Sequence, residues 1–214
     1  MITVYLVDDH ELVRTGIRHI LEDEHGIKVV GEAKDGETAV QWSRNNEADV
    51  ILMDMNMPGI GGLEATRKIL RYQSHAKIIV LTIQTEDPFP TKVMQAGASG
   101  YLTKNATQPE VLQAIRQVAH GQRYLSPEIA QQMALSQLNS NDDNPFQSLS
   151  ERELQIMMMI TNGEKVSEIS KQLNLSPKTV NSYRYRLFAK LGIGGDVDLT
   201  RLAMRYKMLD AGQF

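Results

Sequence analysis

The chain has 214 residues, of which 42% are hydrophobic and 23% charged, so it has the composition of an ordinary globular protein of one or two domains. It has no cysteine, which excludes disulfides, thiol catalysis and cysteine-ligated zinc. No apolar run approaches the ~20 residues that span a bilayer, and no secretory signal precedes the first apolar run. These features predict a cytoplasmic protein that does not contact membranes.

The net charge of -3 combines an acidic first part with a basic last part. Residues 1–120 have 12 basic and 16 acidic side chains, whereas residues 148–214 have 10 basic and 7 acidic ones. Between positions 169 and 195 the chain has five basic residues and no acidic one. Because a solvated helix usually mixes both signs, a stretch of one sign favours a polyanion as the partner of the last part.

The first 120 residues alternate between short apolar runs and longer segments with a 3.6-residue apolar period. The runs predict strands at 2–7, 28–30, 50–53, 78–81 and 101–102. The periodic segments predict helices at 11–22, 36–44, 62–71, 86–96 and 109–119. Five strands that alternate with five helices indicate an α/β fold with a doubly wound, five-stranded parallel sheet, in which strands 50–53 and 78–81 are central.

Polar side chains stand where the predicted strands end: Asp8 and Asp9, Asp54, Thr82 and Lys104. Since ligands of parallel sheets bind at the carboxyl ends of the strands, we expect these side chains to meet at one edge. Three neighbouring carboxylates repel one another and need a cation, and oxygen ligands suit Mg2+. A carboxylate beside Mg2+, with a lysine to meet a phosphoryl oxygen, has the chemistry of a phosphoryl acceptor.

The rest of the chain is predicted to be helical. A helix at 127–138 precedes a polar segment at 139–145 that is typical of a flexible linker. Further helices follow at 150–161, 166–173, 176–191 and 197–208, the second and third joined by a tight turn in a helix-turn-helix arrangement. The predicted domains are therefore 1–120, a linker at 121–147 that includes a helix, and an all-α helix-turn-helix domain at 148–214.

The third of these helices presents polar side chains away from its apolar seam. Asparagine and serine can hydrogen-bond to base edges, and lysine and arginine neutralise phosphates. The candidate DNA contacts are Lys178, Thr179, Asn181, Ser182, Tyr185, Arg186 and Lys190. An amphipathic helix that packs on another protein is the alternative interpretation.

Several motifs of the first part, taken in order, resemble a response-regulator receiver domain. They are Val7-Asp8-Asp9-His10, Met53-Asp54-Met55-Asn56-Met57-Pro58-Gly59, Leu81-Thr82, Ala96-Gly97-Ala98-Ser99-Gly100-Tyr101 and Thr103-Lys104. The resemblance implies that Asp54 accepts a phosphoryl group from a histidine of a sensor kinase. It also implies a magnesium site and residues that contact the phosphoryl group or move in response to it. Asp8, Asp9, Asp54 and the backbone carbonyl of Asn56 would hold Mg2+, Lys104 would contact the phosphoryl oxygens, and Thr82 and Tyr101 would be the switch residues.

The last part resembles the LuxR-type output domain of NarL/FixJ-family response regulators. The motifs are Leu149-Ser150-Glu151-Arg152-Glu153, Lys178-Thr179-Val180 and Lys190-Leu191-Gly192, and the segment 176–187 resembles more narrowly the GacA/UvrY/SirA-type regulators. This resemblance implies a BarA/GacS-like sensor kinase and activation of genes for small regulatory RNAs. It also implies that the fourth helix pairs two DNA-binding domains, through Leu199, Leu202, Ala203 and Tyr206. Asn181 and Arg184 depart from many relatives, which have a lysine and an aliphatic residue there.

We therefore expect a regulator rather than an enzyme. Phosphorylation of Asp54 would release or dimerise the chain, so that paired 176–191 helices enter successive major grooves of double-stranded DNA. RNA polymerase is a further candidate partner. Two rival classes stay open: a metal-dependent phosphatase or phosphotransferase acting on an external substrate, and a phosphorylation-regulated protein-interaction module. Turnover of an exogenous phosphoester would favour the first rival, and salt-insensitive protein binding the second.

Overall fold

The computed structural model describes residues 1–83, 85, 88–138, 144–206 and 208–209, with the backbone alone for 136–138. The chain divides into two compact units, Met1–Thr85 with Pro90–Gln131, and Glu86–Phe89 with Gln132–Phe214. Most of the linker predicted at 139–145 lies outside the described residues. Among the described helices, none is long and apolar enough to cross a membrane.

The first unit is built on a parallel sheet whose strand order is β2-β1-β3-β4-β5-β6. The strands are β1 Ile2–Val7, β2 Ile27–Ala33, β3 Val50–Asp54, β4 Ile78–Thr82, β5 Gly100–Thr103 and β6 Tyr124–Leu125. The predicted α/β fold is confirmed, with six strands instead of five. The additional strand, β6, pairs with Gly100 and Tyr101 and is only two residues long, too short to show a period in the sequence.

Helices alternate with the strands as the periodicity predicted. They are α1 Glu11–Glu22, α2 Gly36–Ser43, α3 Gly61–Tyr72, α4 Phe89–Gln95 and α5 Gln108–Ala119. The predicted start of α4 at residue 86 lies outside the described residues. All residues of β3 and β4 are buried, in agreement with their predicted central position. Because successive strand residues point to opposite faces, Val50 and Leu52 join one apolar cluster with α1 and α5, whereas Ile51 and Met53 join another with α2 and α3.

The remaining elements are helical. Helix α6 spans Pro127–Leu138, as predicted, and a short 3-10 helix spans Pro145–Ser148. Helices α7 Glu151–Thr161, α8 Val166–Leu173, α9 Pro177–Leu191 and α10 Asp196–Arg205 follow. Their fully or nearly fully buried apolar residues form the interior of the second unit: Leu154, Ile156, Met157, Met159, Ile160, Ile169, Leu173, Val180, Leu187, Leu191, Leu199 and Ala203.

Local hydrogen bonds and turns fix the ends of the helix-turn-helix. The Ser150 side chain and Glu153 form a capping box at the start of α7. The turn between α8 and α9 has Asn174 in the left-handed conformation, at φ 53, which asparagine adopts more readily than most residues. The Ser176 hydroxyl accepts a hydrogen bond from the Thr179 amide at 3.0 Å, so α9 begins at Pro177.

Candidate functional site

The carboxyl ends of β1, β3, β4 and β5 bring together the acidic, hydroxyl and ammonium groups expected there. Asp8 and Asp9 follow β1, Asp54 ends β3, Thr82 ends β4, and Lys104 follows β5. Strand β1 has β2 on one side and β3 on the other, so the strand order reverses direction at this point. In open parallel sheets, that position forms a crevice for ligands.

Lys104 lies between two of the carboxylates. Its Nζ is 2.8 Å from Asp8 Oδ2 and 2.9 Å from Asp54 Oδ2. Asp8 and Asp54 are almost completely buried, at 3% and 1% exposure, so both charges lie in a medium of low polarity. The ammonium therefore neutralises part of the repulsion between the two acids.

The environment of the pocket shifts the pKa of its central groups. Burial, and then the charge of Asp8, raise the pKa of the Asp54 carboxyl to about 6, although Lys104 acts in the opposite direction. Burial by itself would lower the pKa of Lys104, but the nearby carboxylates of Asp54 and Asp8 outweigh it, and the pKa of Lys104 is raised. At neutral pH the pocket thus holds an ionised Asp54 beside a charged lysine, a pair suited to meet a phosphoryl group.

Four side chains near these strand ends are close enough to share one cation: Asp8, Asp9, His10 and Asp54, each with a ligand atom within 4.8 Å of the others. Three of the four offer carboxylate oxygens, which are the ligands that Mg2+ prefers. The His10 side chain is exposed, and its Nδ1 lies 2.9 Å from Asp9 Oδ1. The donor set therefore fits a hard divalent cation such as Mg2+.

Two residues that the sequence did not reveal hold the backbone near the acids, Arg14 at Asp8 and Glu37 in the loop after Asp54. Arg14 donates a hydrogen bond from Nη1 to the backbone carbonyl of Asp8 at 2.6 Å, and its Nε lies 3.4 Å from Glu32 Oε2. Glu37 accepts a hydrogen bond at Oε1 from the Ile60 amide at 3.1 Å, which holds the loop between β3 and α3. Gly59, at φ +82, leaves room for the Glu37 carboxylate in this loop.

The Asn56 amide donates a hydrogen bond to Asp54 Oδ1 at 3.3 Å, so the loop folds back toward the acid. On the opposite side, the Lys104 amide donates to the Thr82 carbonyl at 2.8 Å. Thr82 and Tyr101 are both completely buried. The two predicted switch residues thus lie on neighbouring strands, and Tyr101 is in an inward position.

The second candidate site is the polar face of α9. Lys178, Ser182, Tyr185 and Arg186 are exposed on this face, with Tyr185 at 70% exposure, whereas Thr179 and Asn181 are half-buried. Their spacing of three and four residues places Lys178, Asn181, Ser182 and Tyr185 along one side of the helix. An exposed, basic and polar helix side of this kind can enter the major groove of DNA.

Lys190 forms an ion pair within the second unit. Its Nζ lies 2.7 Å from Glu153 Oε2 and donates to the Ser148 carbonyl at 3.0 Å. Glu153 is only 3% exposed, so the pair fixes the C-terminal part of α9 against the start of α7. A contact of Lys190 with DNA would require the ammonium to leave this pair.

The seam predicted on the fourth helix is wrong for two of its four residues. Leu199 and Ala203 are completely buried within the second unit, where α10 packs on α7, whereas Leu202 and Tyr206 are half-buried. Instead, the exposed apolar side chains of α10 are Val197, at 67% exposure, and Met204, at 49%. The sequence period identified an apolar face but did not distinguish a face covered by the same domain from a face that stays open.

Comparisons with known families identify both parts of the chain. Residues 4–116 match the response regulator receiver domain, and residues 147–203 match the LuxR family of bacterial regulatory proteins. The first match covers the acidic pocket, and the second covers the helix-turn-helix.

Relatives are similar over nearly the whole chain. Response regulator UvrY of Escherichia coli (strain K12) is 68% identical over 99% of this chain and 97% of its own length. Response regulator GacA of Pseudomonas aeruginosa is 58% identical over 99% of both chains.

One solved structure similar to this chain is RcsB from Salmonella enterica serovar Typhimurium, bound to promoter rprA in the presence of phosphomimetic BeF3-, which is 26% identical in sequence. The match covers 95% of this chain and 99% of the RcsB chain, with a TM-score of 0.75. The chain therefore belongs to the two-component response regulators that join a receiver domain to a LuxR-type DNA-binding domain, in the group that includes UvrY and GacA.

Proposed function

We propose that Asp54 is the phosphoacceptor of this response regulator and that phosphorylation controls DNA binding by α9. The observation that carries this proposal is the position of Lys104, whose ammonium contacts Asp54 and Asp8 at 2.9 and 2.8 Å. A lysine there can contact a phosphoryl oxygen on Asp54 after the transfer. The proposed division of the chain is a receiver, predicted at 1–120, that also takes in β6, a linker in the remainder of 121–147 and an output domain at 148–214.

In the proposed reaction, a carboxylate oxygen of Asp54 attacks the phosphorus of a phosphohistidine, the P–N bond breaks, and the histidine leaves. Asp54 must be ionised to attack, and a pKa of about 6 leaves it mostly ionised at neutral pH. Bound Mg2+ would supply positive charge for the phosphoryl oxygens. Asp8, Asp9, Asp54 and the carbonyl of Asn56 are its proposed ligands.

The phosphoryl group adds about −1.5 to −2 of charge and three acceptor oxygens beside Asp54. Lys104 and the Thr82 hydroxyl are the proposed donors to these oxygens, with Tyr101 following Thr82. Moving a two-state population from 1:99 to 99:1 takes ~5.5 kcal/mol of differential interaction. Several charge-assisted hydrogen bonds supply much of that free energy.

For the output domain, the proposed partner is double-stranded DNA, bound by a phosphorylation-dependent homodimer. The proposed contacts of α9 are Lys178, Thr179, Asn181, Ser182, Tyr185 and Arg186, and a paired α10 would use Val197 and Met204. By analogy with UvrY and GacA, the proposed kinase is BarA/GacS-like and the proposed targets are genes for small regulatory RNAs. The proposed location of the protein is the cytoplasm. RNA polymerase is the proposed partner downstream of DNA binding.

The test combines phosphorylation and DNA binding on the full chain. Acetyl phosphate with Mg2+ should incorporate phosphate into the wild type but not into Asp54→Asn, and incorporation should be retained in Asp23→Asn, a control that removes an exposed carboxyl at the end of α1. Phosphorylation should then tighten binding to selected DNA. Labelling of Asp54→Asn equal to wild type would refute the assignment, and repeated turnover of p-nitrophenyl phosphate would favour a phosphatase instead.

A further inference from the structure

Asn181 is held by a neighbouring arginine on α9. Arg184 donates from Nη1 to Asn181 Oδ1 at 3.1 Å. The same guanidinium is anchored in two further ways: it pairs with Asp196 in the first turn of α10, at 3.2 Å from Nε to Oδ1 and 2.6 Å from Nη2 to Oδ2, and it lies over the Phe188 ring at 5.6 Å.

These contacts fix the direction of the Asn181 amide. An arginine has donors only, so the atom that faces it must be the amide oxygen, and the amide nitrogen is turned to the other side. Because Asp196 and Phe188 hold the guanidinium in place, the amide is oriented before any ligand binds. Asn181 therefore presents a donor, whereas its oxygen is occupied on one side.

In the major groove, guanine offers two acceptors, N7 and O6, whereas adenine offers one acceptor, N7, and one donor, the N6 amino group. An unrestrained asparagine prefers adenine because its oxygen accepts from N6 while its nitrogen donates to N7. Here the N6 amino group and the Arg184 guanidinium would both converge on Oδ1, which brings two donors together. Guanine offers only acceptors at these positions, so it brings no second donor toward Arg184.

Resting on the proposal that α9 enters the major groove, we infer that the Arg184–Asn181 pair makes Asn181 a reader of guanine rather than adenine. Arg184 is a positioning residue that acts through Asn181, and Asp196 extends the arrangement to α10. The relevant ligand is one base pair of the half-site, contacted by the N-terminal part of α9.

The experiment selects sequences from a random DNA library with the phosphorylated full chain, and compares the wild type with three variants. Asn181→Ala should lose base preference at one position of each half-site. Arg184→Met, which removes the donor but keeps an unbranched apolar side chain on Phe188, should shift that same position from guanine toward adenine by about tenfold. Arg186→Met removes another guanidinium from the same helix and should weaken all sequences alike, without a shift.

A second measurement uses the wild type and Asn181→Ala, so it does not depend on the folding of Arg184→Met. Replacing the selected guanine with 7-deazaguanine removes the N7 acceptor and should weaken wild-type binding several-fold, but should not affect Asn181→Ala. An unchanged base preference in a folded Arg184→Met variant, or adenine at this position in the wild type, would overturn the inference. Failure of the wild type to select any sequence would instead refute the proposed DNA-binding function.

Discussion

A Cβ at Gly62 would overlap the backbone carbonyl of Asp54, lying 2.8 Å from its carbon and 2.9 Å from the Cα of Met55. Helix α3 therefore begins directly against the end of β3, and this close approach orients the loop that follows Asp54. We expect Gly62→Ala to destabilise the receiver by about 3 kcal/mol or more, because backbone has to move. The rate of phosphorylation at Asp54 should also be lower in Gly62→Ala, because the loop that follows Asp54 is displaced.

The measurement is urea denaturation followed by the fluorescence of Trp42, the only tryptophan in the chain, which stacks on Tyr5 in the first unit. The matched control is Gly16→Ala. Gly16 lies inside α1 with nothing near its Cβ position, so alanine there should stabilise the receiver by ~0.5–1 kcal/mol. Equal effects of the two substitutions would contradict the packing argument.

Asp54→Asn should stabilise the metal-free receiver at high pH. The pKa of Asp54 is raised from 3.8 to about 6 in the folded chain, so ionisation weakens the folded state progressively between these pH values and by a constant amount above them. A tenfold change in proton affinity is worth ~1.4 kcal/mol, so the variant should gain up to about 3 kcal/mol at pH 8 and nothing below pH 4. Urea denaturation in EDTA, read by Trp42 fluorescence, measures the difference.

Magnesium provides the control for this prediction. It should stabilise the wild type more than Asp54→Asn, because the variant lacks one of the proposed ligands. The pH-dependent gain should therefore shrink in magnesium. If the variant and the wild type had the same stability at pH 8 and at pH 4, the buried charge at position 54 would not have the effect that we assign to it.

Glu153→Gln should destabilise the second unit at neutral pH. Burial would raise the pKa of Glu153, but hydrogen bonds from Lys190 and Ser150 outweigh it and lower the pKa. A lowered carboxyl pKa adds stability above the unfolded pKa of about 4.5, and this stability is lost as the pH falls through the folded pKa. Glutamine can keep the capping box, so the loss at pH 7 should be about 2 kcal/mol and should disappear in acid.

Far-UV circular dichroism during urea denaturation measures this effect, while Trp42 fluorescence reports on the other unit and should not change. A double-mutant cycle with Lys190→Met tests the pair: the double variant should lose little more than either single variant. Additive losses would mean that Glu153 and Lys190 act independently.

Charges on the open side of α10 should weaken the proposed dimer. Val197 and Met204 are seven residues apart and exposed, so they lie on one helix side. Val197→Glu and Met204→Glu should lower binding to two adjacent half-sites by at least tenfold and leave a single half-site unaffected. Leu135→Glu is the control, since Leu135 is 50% exposed on α6, and it should have no effect on either DNA; a loss on the single half-site would indicate unfolding instead.

Local signals made much of the fold predictable. The residues that flank helix α9 predict where it begins and ends: Ser176 and Pro177 stand at its start, and Gly192 is in the left-handed conformation at its end. The acidic cluster was also predictable, because adjacent parallel strands end at the same edge and Asp8 and Asp54 follow or end such strands.

Contacts that depend on tertiary structure could not be predicted. Glu37 reaches Ile60 across 23 positions, and no local pattern connects the two. For Leu199 and Ala203 the period identified an apolar face, but only the packing of α10 on α7 shows that this face is filled from within the domain. The apolar period of a sequence predicts which residues are buried, but only the tertiary structure shows which neighbours pack against them.

The bridge that Lys104 makes between Asp8 and Asp54 means that the counter-charge of the pocket is part of the chain itself. Its presence does not depend on the ion content of the cell. The receiver therefore has a built-in partner for its buried acids before any ion binds, so Mg2+ would be needed for the phosphoryl chemistry rather than for reaching the folded state.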